Sequence, residues 1–285
     1  MSLDHNTRIL IVGLGLMGGS YARALTDAGY AVSALDTNEK SISFALREGI
    51  IQNGGTAPTK DFVGNADLVI FALYPHIFIE WLRQYQHLLR PGAILTDVTG
   101  VKALPLREIG KFLRPDVEFI AAHPMAGREV YGVENSTAAI FQGANFIVVP
   151  TKENTPAAVS LCRELGKTLG FARVSELSPE EHDEMIGFVS QLTHCIAVAL
   201  MTCKDNQHLV DYTGDSFRDL TRIARINDAM WSELFLDNKE ALLREMDLFI
   251  GEMQTLREAL NADDRETLRE KMRLSTARRA LFDKK

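Results

Sequence analysis

Cysteine is scarce in this 285-residue sequence: Cys162, Cys195 and Cys203 are an odd number and form no C-x-x-C pair. A disulfide framework or a cysteine-built zinc site is therefore excluded as an organising device, no metal is expected, and a reducing cytoplasm is the default compartment. A secretory leader is not seen either, because the apolar run Ile9–Leu16 is short, set against glycines and lacks a cleavage region. Nor is there an uninterrupted apolar run of membrane length. The nearest, Met185–Cys203, is broken by Ser190, Gln191, Thr193 and His194 and reads as a helix buried within the protein. Positive charge is also in short supply, with 31 Lys and Arg against 38 Asp and Glu and a net charge of −7. That balance argues against nucleic-acid and anionic-membrane partners, so an anionic ligand must find its cations in a few local arginines. At 46% hydrophobic and 24% charged residues, disordered and fibrous classes are out, and the length suggests two domains.

The first half alternates short β-type runs with helical patterns. Strands are expected at Arg8–Val12, Ala31–Asp36, Leu68–Leu73, Ile94–Asp97, Glu118–Ala122, Asn145–Val149 and Ala172–Ser175. Continuous apolar runs such as LVIFAL and NFIVV suit strands covered on both faces. Thr155-Pro156 and Gly170 punctuate a helix, and Ser178-Pro179-Glu180-Glu181 has capping-box spacing. Beyond it the pattern is helical to the end. The expectation is an α/β protein: a Rossmann-type, mostly parallel sheet domain over residues 1–177, then an all-helical domain over 178–285. Leu242, Met246, Phe249, Met253, Leu256 and Leu260 repeat at spacings of 4, 3, 4, 3 and 4. Such a narrow seam suits a helix packing across a homodimer, or within the chain.

Gly13-Leu14-Gly15-Leu16-Met17-Gly18 follows the strand RILIV and opens a helix. Gly13 permits the tight turn, Gly15 lets a pyrophosphate approach the backbone, and Gly18 allows close helix packing. The phosphates would meet the N–H groups of Leu16 and Met17 at the positive helix end. Asp36 ends the next strand, 18 residues beyond Gly18, with no arginine following it. A carboxylate there accepts ribose hydroxyls and repels a 2′-phosphate, which predicts NAD over NADP. Tyr74, Pro75, Val98 and Thr99 lie past the carboxyl ends of later strands, where the nicotinamide is expected.

Three further features carry chemistry. His123 ends the strand EFIAA before Pro124, a placement facing the cofactor cleft. Arg218, Arg222 and Arg225 stand at i, i+4 and i+7, so one helix face would hold three cations, either for an anion or for pairing with Asp215 and Asp219. The polar insert Ser190–His194 either ties helices together or lines a substrate pocket.

Together GLGLMGGS (13–20), TDVTGVK (96–102), HPMAGRE (123–129), SQLTH (190–194) and FRDLTRIA (217–224) with Met230-Trp231 resemble the prephenate/arogenate dehydrogenase family of tyrosine biosynthesis. The resemblance implies NAD-dependent oxidative decarboxylation of a small dicarboxylate, prephenate or arogenate, by a homodimer joined through its C-terminal helices. It implies that His123 accepts the ring-hydroxyl proton, that Arg222 binds a carboxylate with Arg218 beside it, and that His194 lines the substrate pocket. Arg128 and Glu129, which follow the histidine motif, are expected at the pocket mouth. Many members read D-V-G-S-V-K where this chain has Asp97-Val98-Thr99-Gly100-Val101-Lys102. The family's serine is thus Gly100 here, leaving Thr99 or a water molecule to supply its hydroxyl. A β-hydroxyacid type of dehydrogenase would need a lysine in the second domain, yet none accompanies His194. A non-catalytic NAD-sensing dimer is the reading from another class, supported only by Gly100.

Overall fold

The computed structural model describes residues 3–205 and 208–282. Six strands, β1 (Ile9–Val12), β2 (Val32–Leu35), β3 (Asn53–Gly55), β4 (Leu68–Phe71), β5 (Ile94–Asp97) and β6 (Glu118–Phe119), form a parallel sheet ordered β3-β2-β1-β4-β5-β6. Each residue of β1 pairs on both sides, Ile9–Val12 with Val32–Leu35 and with Leu68–Phe71. All four residues of β1 and of β4 are buried, which explains their unbroken apolar runs. Between these strands run α1 (Leu16–Asp27), α2 (Glu39–Arg47), the short α3 (Lys60–Val63), α4 (Pro75–Tyr85) and α5 (Ala103–Ile109). Successive side chains leave a strand on opposite faces. Accordingly Ile9 and Ile11 pack with Tyr21 and Leu25 of α1, while Leu10 and Val12 share a second core with Phe78 and Leu82 of α4. The order reverses between β1 and β4, and open sheets of this kind bind ligands at that crevice.

The expected strand Glu118–Ala122 is in fact two. β6 ends at Phe119, and β7 (Ala121–Met125) starts a second sheet, ordered β7-β8-β9. In it β8 (Asn145–Val149) runs antiparallel to β7, and β9 (Arg173–Glu176) runs parallel to β8. His123 and Pro124 therefore sit inside a strand rather than before a turn. Proline is accommodated because β7 is an edge strand with a single neighbour. β3 escaped the sequence reading because Asn53-Gly54-Gly55 has no apolar pattern and pairs only with β2.

Between β8 and β9 lies α6 (Pro156–Thr168), with Thr155 accepting from the Ala158 N–H and Pro156 in its first turn. The capping box of α7 (Pro179–Ile186) is formed: the Glu181 N–H donates to Ser178 Oγ and the Ser178 N–H to the Glu181 carboxylate. A π-helical turn over 187–192 joins α7 to α8 (Thr193–Thr202). Here the expectation of a wholly buried helix is corrected. Phe188 and Val189 are 58% and 48% exposed, whereas His182, Asp183, Gln191 and Leu192 are buried. A helix turns only one stripe toward its neighbours, and in this one the stripe carries the polar residues because they find partners there. Two shorter helices follow, α9 (Asp215–Thr221) and α10 (Asp228–Asp237).

Among the described residues, those up to Asn238 form one compact unit, and residues 239–282 form another. The second consists of α11 (Lys239–Asn261) and α12 (Arg265–Arg279), tied by Lys271 Nζ to Glu252 at 2.7 Å. Along α11 the expected seam begins buried at Leu242 and ends exposed at Met253 and Leu260.

Candidate active site

The glycine turn after β1 has the shape its sequence implies. Gly13 has φ +98°, and a Cβ there would lie 2.5 Å from the Ala72 carbonyl oxygen. A Cβ on Gly18 would fall 1.9 Å from the Gly13 oxygen, so α1 approaches the turn as closely as it does only because both are glycine. Gly15 faces open space and caps α1 without any side-chain bond, leaving the first-turn N–H groups available to an anion. Asp36 closes the far side: its carboxylate accepts from the Leu14 N–H at 2.6 Å and the Asn38 N–H at 2.7 Å. This cradle fits a dinucleotide.

It opens into a cavity of about 670 Å³. Gly15, Leu16, Met17, Tyr74, Pro75, Val98 and Thr99 line its nucleotide side. Deeper, the wall passes to His123, then to Arg128 and Glu129, and on the helical side to Ser190, Gln191, His194 and Trp231. Tyr74 Oη accepts from Asn227 Nδ2 at 3.0 Å, and His76 bonds Glu233 through both its backbone N–H and its ring, each at 2.7 Å. These contacts hold the start of α4 against α10. His194 stacks on Trp231 with ring centroids 3.6 Å apart, while its Nδ1 lies 2.9 Å from the Ser190 carbonyl oxygen. Gln191 spans inward, donating to the Leu234 carbonyl and accepting from Asn238 Nδ2. Within the polar insert Gln191 ties helices together, and His194 stands on the cavity wall.

His123 is half-buried, and its Nδ1 lies 2.9 Å from His182 Nε2. His182 Nδ1 is in turn 2.7 Å from Asp183 Oδ1. Burial, then the neighbouring His182 and Lys102, push the His123 pKa well below its ordinary value. His123 is therefore a neutral imidazole at pH 7. Beneath it Lys102 Nζ contacts Asp97 Oδ2 at 2.6 Å, a pair only 1% exposed on either side. Thr99 lines the cavity, but its hydroxyl bonds Asp97 and lies 3.0 Å from the Val101 carbonyl oxygen. It is committed to the wall. A Cβ on Gly100 would stand 4.0 Å from His123 Cε1, in open contact distance.

The three arginines do not share a helix face. α9 stops at Thr221 and tightens into a 3-10 turn over Arg222–Ala224, which breaks the i, i+4, i+7 alignment. Arg218 is exposed and reaches Asp215 at 3.4 Å. Arg222 Nη1 binds Glu129 Oε1 at 2.7 Å and is not itself among the cavity-lining residues. Arg225 does line the cavity, as does Arg128, and neither has an ion-pair partner among the described residues. No group of three or more His, Cys, Asp or Glu suited to a metal occurs among the described residues.

Comparison with known proteins agrees with this geometry. Residues 21–175 match the nucleotide-binding domain of prephenate dehydrogenase, and residues 178–274 match its dimerization domain. The chain belongs to the prephenate dehydrogenase family. Prephenate dehydrogenase of Bacillus subtilis is 30% identical over 91% of this chain and 72% of its own length. Cyclohexadienyl dehydrogenase of Zymomonas mobilis is 30% identical over 92% of this chain and 91% of its own. The crystal structure of prephenate dehydrogenase from A. aeolicus with hydroxyphenyl propionate and NAD+ superposes with a TM-score of 0.90 at 32% identity, covering 99% and 100% of the two chains.

Against the family pattern, the sequence reading missed the groups behind the histidine. His182 and Asp183 come 59 and 60 residues after His123 and sit in an ordinary helix start, so nothing local marked them. Lys102 closes a quoted motif, and the sequence reading gave it no role of its own, whereas it lies buried against Asp97. Arg225 was assigned to the helix face, and its place at the cavity depends on how α9 ends.

Proposed function

We propose that this chain catalyses the NAD-dependent oxidative decarboxylation of prephenate to 4-hydroxyphenylpyruvate and CO₂, a step of tyrosine biosynthesis. The observation that carries the reading is His123 set in one cavity between the dinucleotide cradle and Arg128 and Arg225, which have no ion-pair partner among the described residues. NAD, when bound, supplies the hydride acceptor. Gly13, Gly15 and Gly18 with the N–H groups of Leu16 and Met17 would hold its phosphates, and Asp36 its ribose. Tyr74, Pro75 and Val98 would flank the nicotinamide.

His123 takes the proton of the substrate's ring hydroxyl as charge shifts off that carbon. The same proton returns to the oxygen once the ring carboxylate has left as CO₂ and the ring is aromatic, so His123 ends the cycle neutral. A base with a depressed pKa needs no prior deprotonation at pH 7. Arg225 and Arg128 bind the two carboxylates, each able to offer a bidentate fork. Arg222 joins them by exchanging Glu129 for a substrate carboxylate, and Arg218 adds only to the local field. His194 and Trp231 form the flat wall against the ring. Thr99 holds Asp97 in place and makes no bond to substrate.

Residues 1–177 then act as the NAD-binding part and 178–285 as the substrate and dimerisation part. The exposed apolar residues Leu248, Ile250, Met253 and Leu260 of α11 support a homodimer through the C-terminal helices. Three free thiols support a cytoplasmic setting.

The deciding experiment is NADH formation by the purified protein with prephenate or arogenate, each repeated with NADP+. Turnover with prephenate and NAD+ is expected. His123→Asn should lower kcat by about 10²–10⁴-fold while NAD binding persists. Preference for arogenate would keep the mechanism and change the substrate. NAD binding without turnover on either would overturn the reading in favour of a sensor.

A further inference from the structure

We infer that His182 is a positioning residue that sets which nitrogen of His123 is bare. The inference rests on His123 being the proton acceptor. Asp183 accepts from the Lys102 N–H through Oδ1 at 2.9 Å and from the Ala103 N–H through Oδ2 at 2.8 Å, as a carboxylate at the start of α5. With a backbone donor on each of its two oxygens, the carboxylate meets its neighbours as an acceptor. The 2.7 Å contact to His182 Nδ1 therefore requires the proton on that nitrogen. A neutral His182 then has a lone pair at Nε2, and the 2.9 Å contact to His123 Nδ1 requires His123 to donate. His123 is left with a proton on Nδ1 and a lone pair on Nε2, the nitrogen available to the cavity.

The opposite polarity would need a doubly protonated His182. The groups facing it are Asp183 on its own helix, His123 on β7, Lys102 at the head of α5 and Asp97 on β5. Its side chain is 0% exposed, and the Lys102 ammonium opposes a second positive charge. Burial, outweighing the Asp183 bond, holds its pKa below the ordinary imidazole value. His182 touches neither the cavity nor the dinucleotide cradle, so its effect passes entirely through His123. Orientation of a catalytic imidazole by a buried acceptor is the logic of triads. Here a second histidine stands between the imidazole and the carboxylate.

The test compares wild type, His123→Asn, His182→Gln and His182→Leu by steady-state kinetics. It adds NMR of wild type carrying isotope-labelled histidine to read the protonated ring nitrogen. Wild type should show His123 protonated at Nδ1 and bare at Nε2. His182→Leu should lower kcat on the order of 10²-fold, the lower range for positioned general-base catalysis, with KM for prephenate and NAD nearly unchanged. His182→Gln should recover most of that loss, because its amide can accept from His123 and donate to Asp183. A folded His182→Leu protein with wild-type kcat, or a wild-type spectrum with the proton on Nε2, overturns the inference even where His123→Asn is inactive. Wild-type turnover by His123→Asn instead overturns the assignment of His123, and the inference with it. If His182→Leu does not fold, the wild-type spectrum decides.

Discussion

Replacing Gly100 by serine restores a hydroxyl that many members of the family carry. The geometry says what it would meet. The new Cβ would lie 3.5 and 3.6 Å from the Leu234 methyls and 4.0 Å from His123 Cε1, all ordinary van der Waals distances. Gly100 is also absent from the positive-φ glycines, so no backbone strain follows. Removing a glycine from the unfolded chain stabilises by about 0.4–1 kcal/mol where the native backbone suits the new residue. Because Nδ1 of His123 faces His182, the serine Oγ would approach the Nε2 edge where the substrate hydroxyl binds. One net hydrogen bond there contributes about 0.5–1.5 kcal/mol, or about 2- to 13-fold in kcat/KM. The assay is initial-rate NADH formation on Gly100→Ser beside thermal unfolding of both proteins. The expected result is a kcat/KM for prephenate raised within that range, with Tm equal to or slightly above wild type. A fall in Tm, or a tenfold loss of activity, would refute the claim that position 100 is open toward His123.

Three other outcomes follow from the site. Arg225→Gln should raise KM for prephenate about 10-fold or more, since a hydrogen bond to a charged group contributes about 1.5–3 kcal/mol; KM for NAD should not move, and an unchanged KM for prephenate would remove Arg225 from the site. Glu129→Gln should lower KM for prephenate by releasing Arg222, and a raised KM would show that Glu129 itself binds substrate. Acid should destabilise the fold early: His123 and His182 have folded pKa values below about 6.5, so the unfolded chain binds more protons as pH falls through that value. Their contribution is full above about pH 7 and is lost on acidification; Asp237, raised to about 6 chiefly by burial, works the other way, one group against two. Tm should therefore drop between about pH 6.5 and 5, and a flat or rising Tm would contradict the buried histidine pair.

Much of the protein was legible in one dimension because its causes are local. A parallel strand buried on both faces must be apolar throughout, so β1 and β4 announced themselves. The turn at Gly13–Gly18 is signalled by glycines within six residues of one another and by Asp36 at the end of the next strand. The capping box at Ser178–Glu181 closes within a single turn of helix. Each of these features leaves its signal in residues that stand close together in the sequence.

What only the tertiary structure decided involves partners far apart in sequence. β6 and β7 read as one run because the break at Ile120 reflects which sheet each half joins. The three arginines looked aligned because ideal helical spacing was assumed, while α9 ends at Thr221 and sends Arg225 to the cavity and Arg222 to Glu129. The tautomer of His123 depends on His182 and Asp183, and theirs on two backbone donors at the head of α5. A hydrogen bond has direction, and its direction here is set by a chain of donors and acceptors that meet only after folding. The residue types for the chemistry were therefore present in the sequence, and the packing of α7 beneath β7 decided which atom of His123 can act.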